Sequence, residues 1–167
     1  MYAIWYLFER KDEEKIKKNI VNISQEYNAP AFIPHITAYG LVNMDLKILT
    51  DIVSRSIKNI EPFSVEKKSI SFSNNFWKTL FIDFENNSSM LKINKKLTKN
   101  LSKFSKYEFK PHSSLIYKNL NLKEKQKIIE NIKLEKFFKI DSIGILKFSD
   151  SITEWKIIEK KLLKKVL

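Results

Sequence analysis

The apolar positions of this chain change period from segment to segment. Tyr2 to Phe8 is a short apolar run of the length of one buried strand. Asp12 to Tyr27 places Ile16, Ile20, Ile23 and Tyr27 at helical spacing and predicts an amphipathic helix. Ile33 to Tyr39 reads as a strand, and Asp45 to Ile60 as a helix with a stripe of Leu46, Leu49, Val53, Ile57 and Ile60. Phe63 to Ser73 and Trp77 to Phe84 form an expected strand pair around Asn74 and Asn75. The order then repeats. Ser89 to Phe104 is a helix with Ile93, Leu97, Leu101 and Phe104 on one face, and His112 to Tyr117 is a strand. Asn121 opens a helix with Glu124 as its capping-box partner, and Phe137 to Lys147 and Ile152 to Ile158 form a closing strand pair.

Each half therefore reads helix, strand, helix, strand, strand, an internal duplication of about 80 residues. The expected fold class is α+β, a single domain over 1–167 with two pseudo-symmetric lobes and antiparallel sheets flanked by helices around a central cleft. Identity between the halves is slight; element order and one short motif carry the repeat.

That motif holds both histidines of the chain. Phe32-Ile33-Pro34-His35-Ile36-Thr37 and Phe109-Lys110-Pro111-His112-Ser113-Ser114 stand 77 positions apart. A Pro before each His suits a strand start, because Pro has no N–H for the ladder. Residues i and i+2 of a strand share a face, so His35 with Thr37 and His112 with Ser114 point into one space. An imidazole titrates near neutral pH, so one of a pair can take a proton from water while the other donates one to a leaving oxygen. Thr37 and Ser114 can donate hydrogen bonds to phosphoryl oxygens. This scheme needs no metal and no other cofactor.

The two motifs, in the contexts PHITAYG and PHSSLIY, together with the opening YAIWYLFE strand, resemble those of the 2H phosphoesterase superfamily, above all its cyclic phosphodiesterase (LigT-like) branch. The resemblance implies a bilobal α+β fold and metal-independent hydrolysis of a cyclic phosphodiester. It implies a 2′,3′-cyclic nucleotide or an RNA 2′,3′-cyclic phosphate end as substrate and a 2′-phosphate as product. It also implies His112 as the base and His35 as the acid, an order that the mirrored motifs by themselves leave open. Aromatics such as Trp5 and Tyr117 would stack on the base. Tyr117 lies three residues beyond Ser114, so a regular strand turns it away and a bulge or strand end has to bring it back. Tyr39, two beyond Thr37, shares its face and is a further cleft candidate. Phe76, Trp77 and Lys78 are candidates for the cleft rim or a hairpin core, and Trp155 for the core.

Composition bounds the partners. The net charge is +12, yet only Arg10 and Arg55 among 31 basic residues are Arg, the residue best suited to bidentate phosphate binding. An AT-rich codon bias explains the lysines as well as a polyanionic partner does. Lys110 and Lys118 flank the second motif, with solvated surface charge as their default. Without cysteine there is no disulfide and no thiolate nucleophile, which fits a reducing, cytoplasmic setting. No apolar run approaches the roughly 20 residues that span a bilayer. Nothing marks an obligate protein partner. Two alternatives remain open at this point: a phosphodiesterase of 2′,5′-linked or cyclic oligonucleotides, and a non-catalytic RNA-end-binding module.

Overall fold

In the computed structural model residues 1–164 are described. The strands are β1 (Tyr2–Phe8), β2 (His35–Val42), β3 (Phe63–Phe72), β4 (Leu80–Phe84), β5 (His112–Ile116), β6 (Phe137–Lys147) and β7 (Lys156–Leu162). The helices are α1 (Arg10–Glu26), α2 (Leu46–Ser56), α3 (Ser88–Leu101) and α4 (Leu122–Asn131). The duplicated order is present: α1-β2-α2-β3-β4 is followed by α3-β5-α4-β6-β7. The strand pairs, expected to turn at Asn74 and Asn75 and at Ser149 to Ser151, are joined by longer connections with short 3₁₀ turns at Phe76–Lys78 and Ile152–Glu154. Trp77 and Ile152 thus leave the strands that the apolar pattern assigned to them. Phe104 falls beyond the end of α3 and is exposed.

Helices α2, α3 and α4 start where side chains satisfy free N–H groups. Asp45 accepts from the backbone of Lys47 and Ile48, and Asn87 from Ser89 and Met90. Asn121 and Glu124 form the expected capping box. The buried stripes are Ile16, Ile20 and Ile23 on α1, Leu49, Ile52 and Val53 on α2, and Met90, Ile93, Leu97 and Leu101 on α3.

All seven strands join one antiparallel sheet in the order β2-β1-β6-β3-β4-β5, with β7 also on β6. The long strand β6 is the hub. Ile140 to Lys147 pair with β1 along one edge. On the other edge Phe137 to Ile140 pair with Phe63 to Glu66 of β3, and Ser142 to Lys147 pair with β7. The β3–β6 pairing is the seam between the lobes. The two histidine strands, at opposite ends of the path, nevertheless lie against each other, with Cα atoms within 8 Å but no ladder between them. The helices help to hold that arrangement: α1 packs on β5 and α3 on β2, each half covering the other half's histidine strand. One sheet face and the helices enclose the main core; the other bears a small cluster of Ala3, Trp5, Leu7 and Leu146 with Trp155 and Ile157 against it. No helix among the described residues is long and apolar enough to cross a membrane.

Candidate active site

Each histidine is the first residue of its strand, directly after the Pro. His35 on β2 stands opposite Leu7 of β1, and His112 on β5 opposite Asp83 of β4. The two rings are held alike. Nδ1 of His35 lies 2.7 Å from the Ile33 carbonyl, and Nδ1 of His112 lies 2.7 Å from the Lys110 carbonyl. A carbonyl oxygen only accepts, so Nδ1 carries the hydrogen in both. Nε2 is then left for a ligand in each ring: an acceptor when the imidazole is neutral, a donor when it is charged.

The surroundings differ. His35 is buried, stacked on Trp5 at 3.4 Å between ring centroids. Burial pushes its pKa down to about 3; the hydrogen bond to Ile33 opposes the shift and the neighbouring His112 adds to it. His112 is also held below the usual imidazole value, first by burial. The Lys110 carbonyl and Asp83 pull it back up and Lys78 pushes it down. The Phe81 ring packs edge-on at 5.6 Å. Burial therefore favours the neutral form of both imidazoles near pH 7, and His112 is the easier to protonate. That ranking runs against the acid and base order implied by the resemblance.

A β-bulge in each histidine strand decides which neighbours reach the cleft. On β2 the register steps from Trp5 opposite Thr37 to Ile4 opposite Tyr39, leaving Ala38 extra. On β5 it steps from Phe81 opposite Ser114 to Leu80 opposite Ile116, leaving Leu115 extra. The Ala38 carbonyl accepts from Asn94 Nδ2 of α3 at 2.9 Å. Each extra residue shifts the alternation by one. Tyr39 consequently turns into the main core, fully buried, its hydroxyl donating to the Ser105 carbonyl. Its expected place beside Thr37 is corrected accordingly. Gly40 and Tyr117, each five residues after its histidine, line the cleft instead. The bulge is the device that Tyr117 needed.

The hydroxyls also part company. Thr37 lines the cleft, and its hydroxyl makes no hydrogen bond to the described residues. Ser114 is buried and donates to the Trp77 carbonyl at 2.8 Å. The expectation of a free hydroxyl at Ser114 is corrected: its proton fixes the 3₁₀ turn that follows β3.

The cleft has a volume of about 420 Å³, and both histidines line it. Its walls are aromatic. Trp5, Trp77, Tyr117 and Trp155 all line it, and Trp155, expected in the core, stands at the C-terminus of the second 3₁₀ turn. Trp77 and Trp155 face each other at 6.1 Å with 20° between ring planes. Burial pushes the Tyr117 phenol up to about 12, so it stays a neutral donor. Tyr107, which no periodicity marked, also lines the cleft and donates to the Thr37 carbonyl at 3.2 Å. Lys78 is the one lysine or arginine among the lining residues, and no carboxylate lines it. The flanking lysines are engaged elsewhere: Lys110 pairs with Glu108, and Lys118 donates to the Tyr27 and Asn28 carbonyls.

Two histidine strands, one from each half of a duplicated chain and turned onto a common cleft, define a 2H phosphoesterase. The comparisons agree. The model of the family described as "Cyclic phosphodiesterase-like protein" matches residues 1–163. The cyclic phosphodiesterase of Arabidopsis thaliana is 19% identical over 126 residues, covering 75% of this chain and 70% of that one. E. coli LigT complexed with 3′-AMP shares the fold with a TM-score of 0.66 at 8% identity, covering 98% of both chains. TT0787 of Thermus thermophilus reaches 0.66 at 13% identity, also covering 98% of both. LigT complexed with NADP+ reaches 0.61 at 9% identity, covering 97% of this chain and 96% of that one. The chain belongs to the cyclic phosphodiesterase-like family and is a phosphodiesterase.

Proposed function

We propose that the protein hydrolyses a 2′,3′-cyclic phosphodiester, on a nucleotide or at an RNA end, to a 2′-phosphate, with His35 and His112 as base and acid. The observation that carries this reading is the matched pair of imidazoles. Both have Nδ1 tied to the carbonyl two residues back, and both leave Nε2 to one cleft. Water attacks phosphorus in line with the 3′ oxygen. Its proton goes to the neutral imidazole, the P–O3′ bond breaks, and the protonated imidazole gives its proton to O3′. The histidines exchange protonation states in the step, and solvent restores them. Because burial favours the neutral form of both imidazoles, the negative charge of the entering phosphodiester is what draws a proton onto one of them. Thr37 donates to a non-bridging oxygen as charge builds there.

The aromatic walls support a nucleobase as the remainder of the substrate, since base stacking on aromatic side chains contributes about 1–3 kcal/mol per base. Bound 3′-AMP and NADP+ in LigT are in keeping with ligands of that chemistry. A second reading, oligonucleotide substrates, draws on a smaller groove of about 220 Å³ that shares Trp5 and Trp155 with the cleft and includes Lys17. The test is 31P NMR of 2′,3′-cyclic AMP and of a short RNA ending in a cyclic phosphate, with the protein in EDTA. Conversion of the cyclic resonance to that of a 2′-monophosphate is the expected result. Tight binding of the RNA end without turnover would instead favour a non-catalytic RNA-end-binding module.

A further inference from the structure

We propose that Lys78 contacts the phosphoryl group of the substrate and takes up its negative charge from the His112 side of the cleft. The inference rests on the phosphodiesterase reading of the same site and adds a residue that neither histidine motif contains.

The turn that carries Lys78 is fixed from several directions. Its N–H donates to the Asn75 carbonyl at 2.9 Å, and its carbonyl accepts from Ser73 Oγ at 2.7 Å. Asn75 Oδ1 accepts from the Trp77 N–H, and the Trp77 carbonyl accepts from Ser114 Oγ. Below the turn, Lys125 Nζ donates to the Ser73 carbonyl at 2.8 Å and to Asn74 Oδ1 at 3.2 Å. This bracing holds one end of the Lys78 side chain in place.

The other end is available. The ammonium lies 4.2 Å from the centroid of the Phe81 ring, which itself packs against His112. An aromatic face attracts a cation without neutralising it. Among the described residues no carboxylate lies within ion-pairing distance of Lys78, whereas Lys15, Lys110, Lys127, Lys136 and Lys139 are all paired. Asp83, opposite His112 on β4, is not in ion contact with it either. A pre-placed, unneutralised cation beside an imidazole in a cleft without carboxylates suits an anion whose charge grows during attack. It also compensates for the Ser114 hydroxyl, which is committed to the turn. Three titratable or charged groups bear on His112: Lys78, Asp83 and His35.

The test compares wild type with Lys78→Met, Lys78→Arg and, as a surface control, Lys127→Met, which lies outside the cleft and pairs with Glu26. It measures kcat/KM on 2′,3′-cyclic AMP, affinity for adenosine 2′-monophosphate and for adenosine, and the NMR titration of His112 in the free protein. In Lys78→Met the expected loss is about ten- to a hundredfold in kcat/KM and in nucleotide affinity, as for a lost charge-assisted hydrogen bond. Adenosine affinity stays unchanged, the His112 titration moves to higher pH, and Lys78→Arg recovers most of the loss. The proposal is overturned if Lys78→Met stays within about twofold of Lys127→Met. It is equally overturned if adenosine and nucleotide affinity fall together, the mark of a disturbed turn. If wild type hydrolyses no cyclic phosphodiester yet binds the monophosphate through Lys78, the phosphodiesterase reading fails and this one stands. If it binds no monophosphate, both fall.

Discussion

His35 makes the protein sensitive to acid in a way that one substitution can isolate. Its ring is buried against Trp5, and its pKa is pushed from 6.5 down to about 3. The unfolded chain therefore binds the proton more readily than the folded one. For a depressed folded value the stabilisation is complete above about pH 6.5 and is lost progressively as pH falls towards 3. Each unit of difference corresponds to about 1.4 kcal/mol, so protonation removes roughly 2 kcal/mol of stability between pH 8 and pH 5. In a chain of this size that is about 4–8 °C in Tm. The perturbation is His35→Asn, whose amide can still donate to the Ile33 carbonyl but does not titrate. Urea unfolding followed by tryptophan fluorescence at pH 8 and pH 5 should show a drop in stability about 2 kcal/mol larger in wild type than in the variant. The depressed His112 remains in both proteins and cancels to first order. Parallel pH dependences, or a His35 resonance titrating near 6.5, would refute the reasoning.

Other outcomes follow from the cleft and its supports. Trp155→Ala removes one of the two facing indoles and should raise KM about tenfold with kcat little changed, read by steady-state kinetics on a cyclic nucleotide. Lys125→Met leaves the Ser73 carbonyl and Asn74 amide without their buried donor; urea unfolding should show a loss of about 2 kcal/mol, with a raised KM because Trp77 and Lys78 ride on that turn. In Gly40→Ala the new Cβ would lie 2.7 Å from Cδ2 of Tyr107. Tyr107 must move and release the Thr37 carbonyl, so activity should fall more than stability, whereas an unchanged kcat/KM would show that Tyr107 is dispensable.

Much of the fold was legible because α1, α2 and α3 each bury three or more apolar stripe residues at regular spacing, because α4 announces itself by its capping box, and because the strand runs alternate with the helices twice in the same order. The cleft was legible only in part. The histidines stand out through their Pro and hydroxyl neighbours, which are local in sequence. The bulges at Ala38 and Leu115 are not local: the Ala38 carbonyl is satisfied by Asn94, 56 residues away. A strict two-residue alternation consequently placed Tyr39 in the cleft and left Tyr117 needing a device, and the same one-residue step resolves both. Ser114 looked equivalent to Thr37 by pattern, but its partner is the Trp77 carbonyl in the connection between β3 and β4, 37 residues away. Trp77 and Lys78 were legible as candidates for the cleft rim, with a hairpin core as the competing reading, and they do line the cleft; Trp155 was read as core because its apolar neighbours read as strand, while the Ser149–Ser151 stretch signals a turn. Tyr107 lies in a connecting segment, where periodicity carries no information.

The central claim is that two imidazoles exchange protons with one substrate across the cleft. The most direct measurement is kcat on 2′,3′-cyclic AMP for His35→Ala and His112→Ala, with folding checked by circular dichroism. Each variant should lose at least about a hundredfold, and the double variant should lose little more than the worse single one, because the pair acts as a unit. Near-wild-type turnover in either single variant would contradict it.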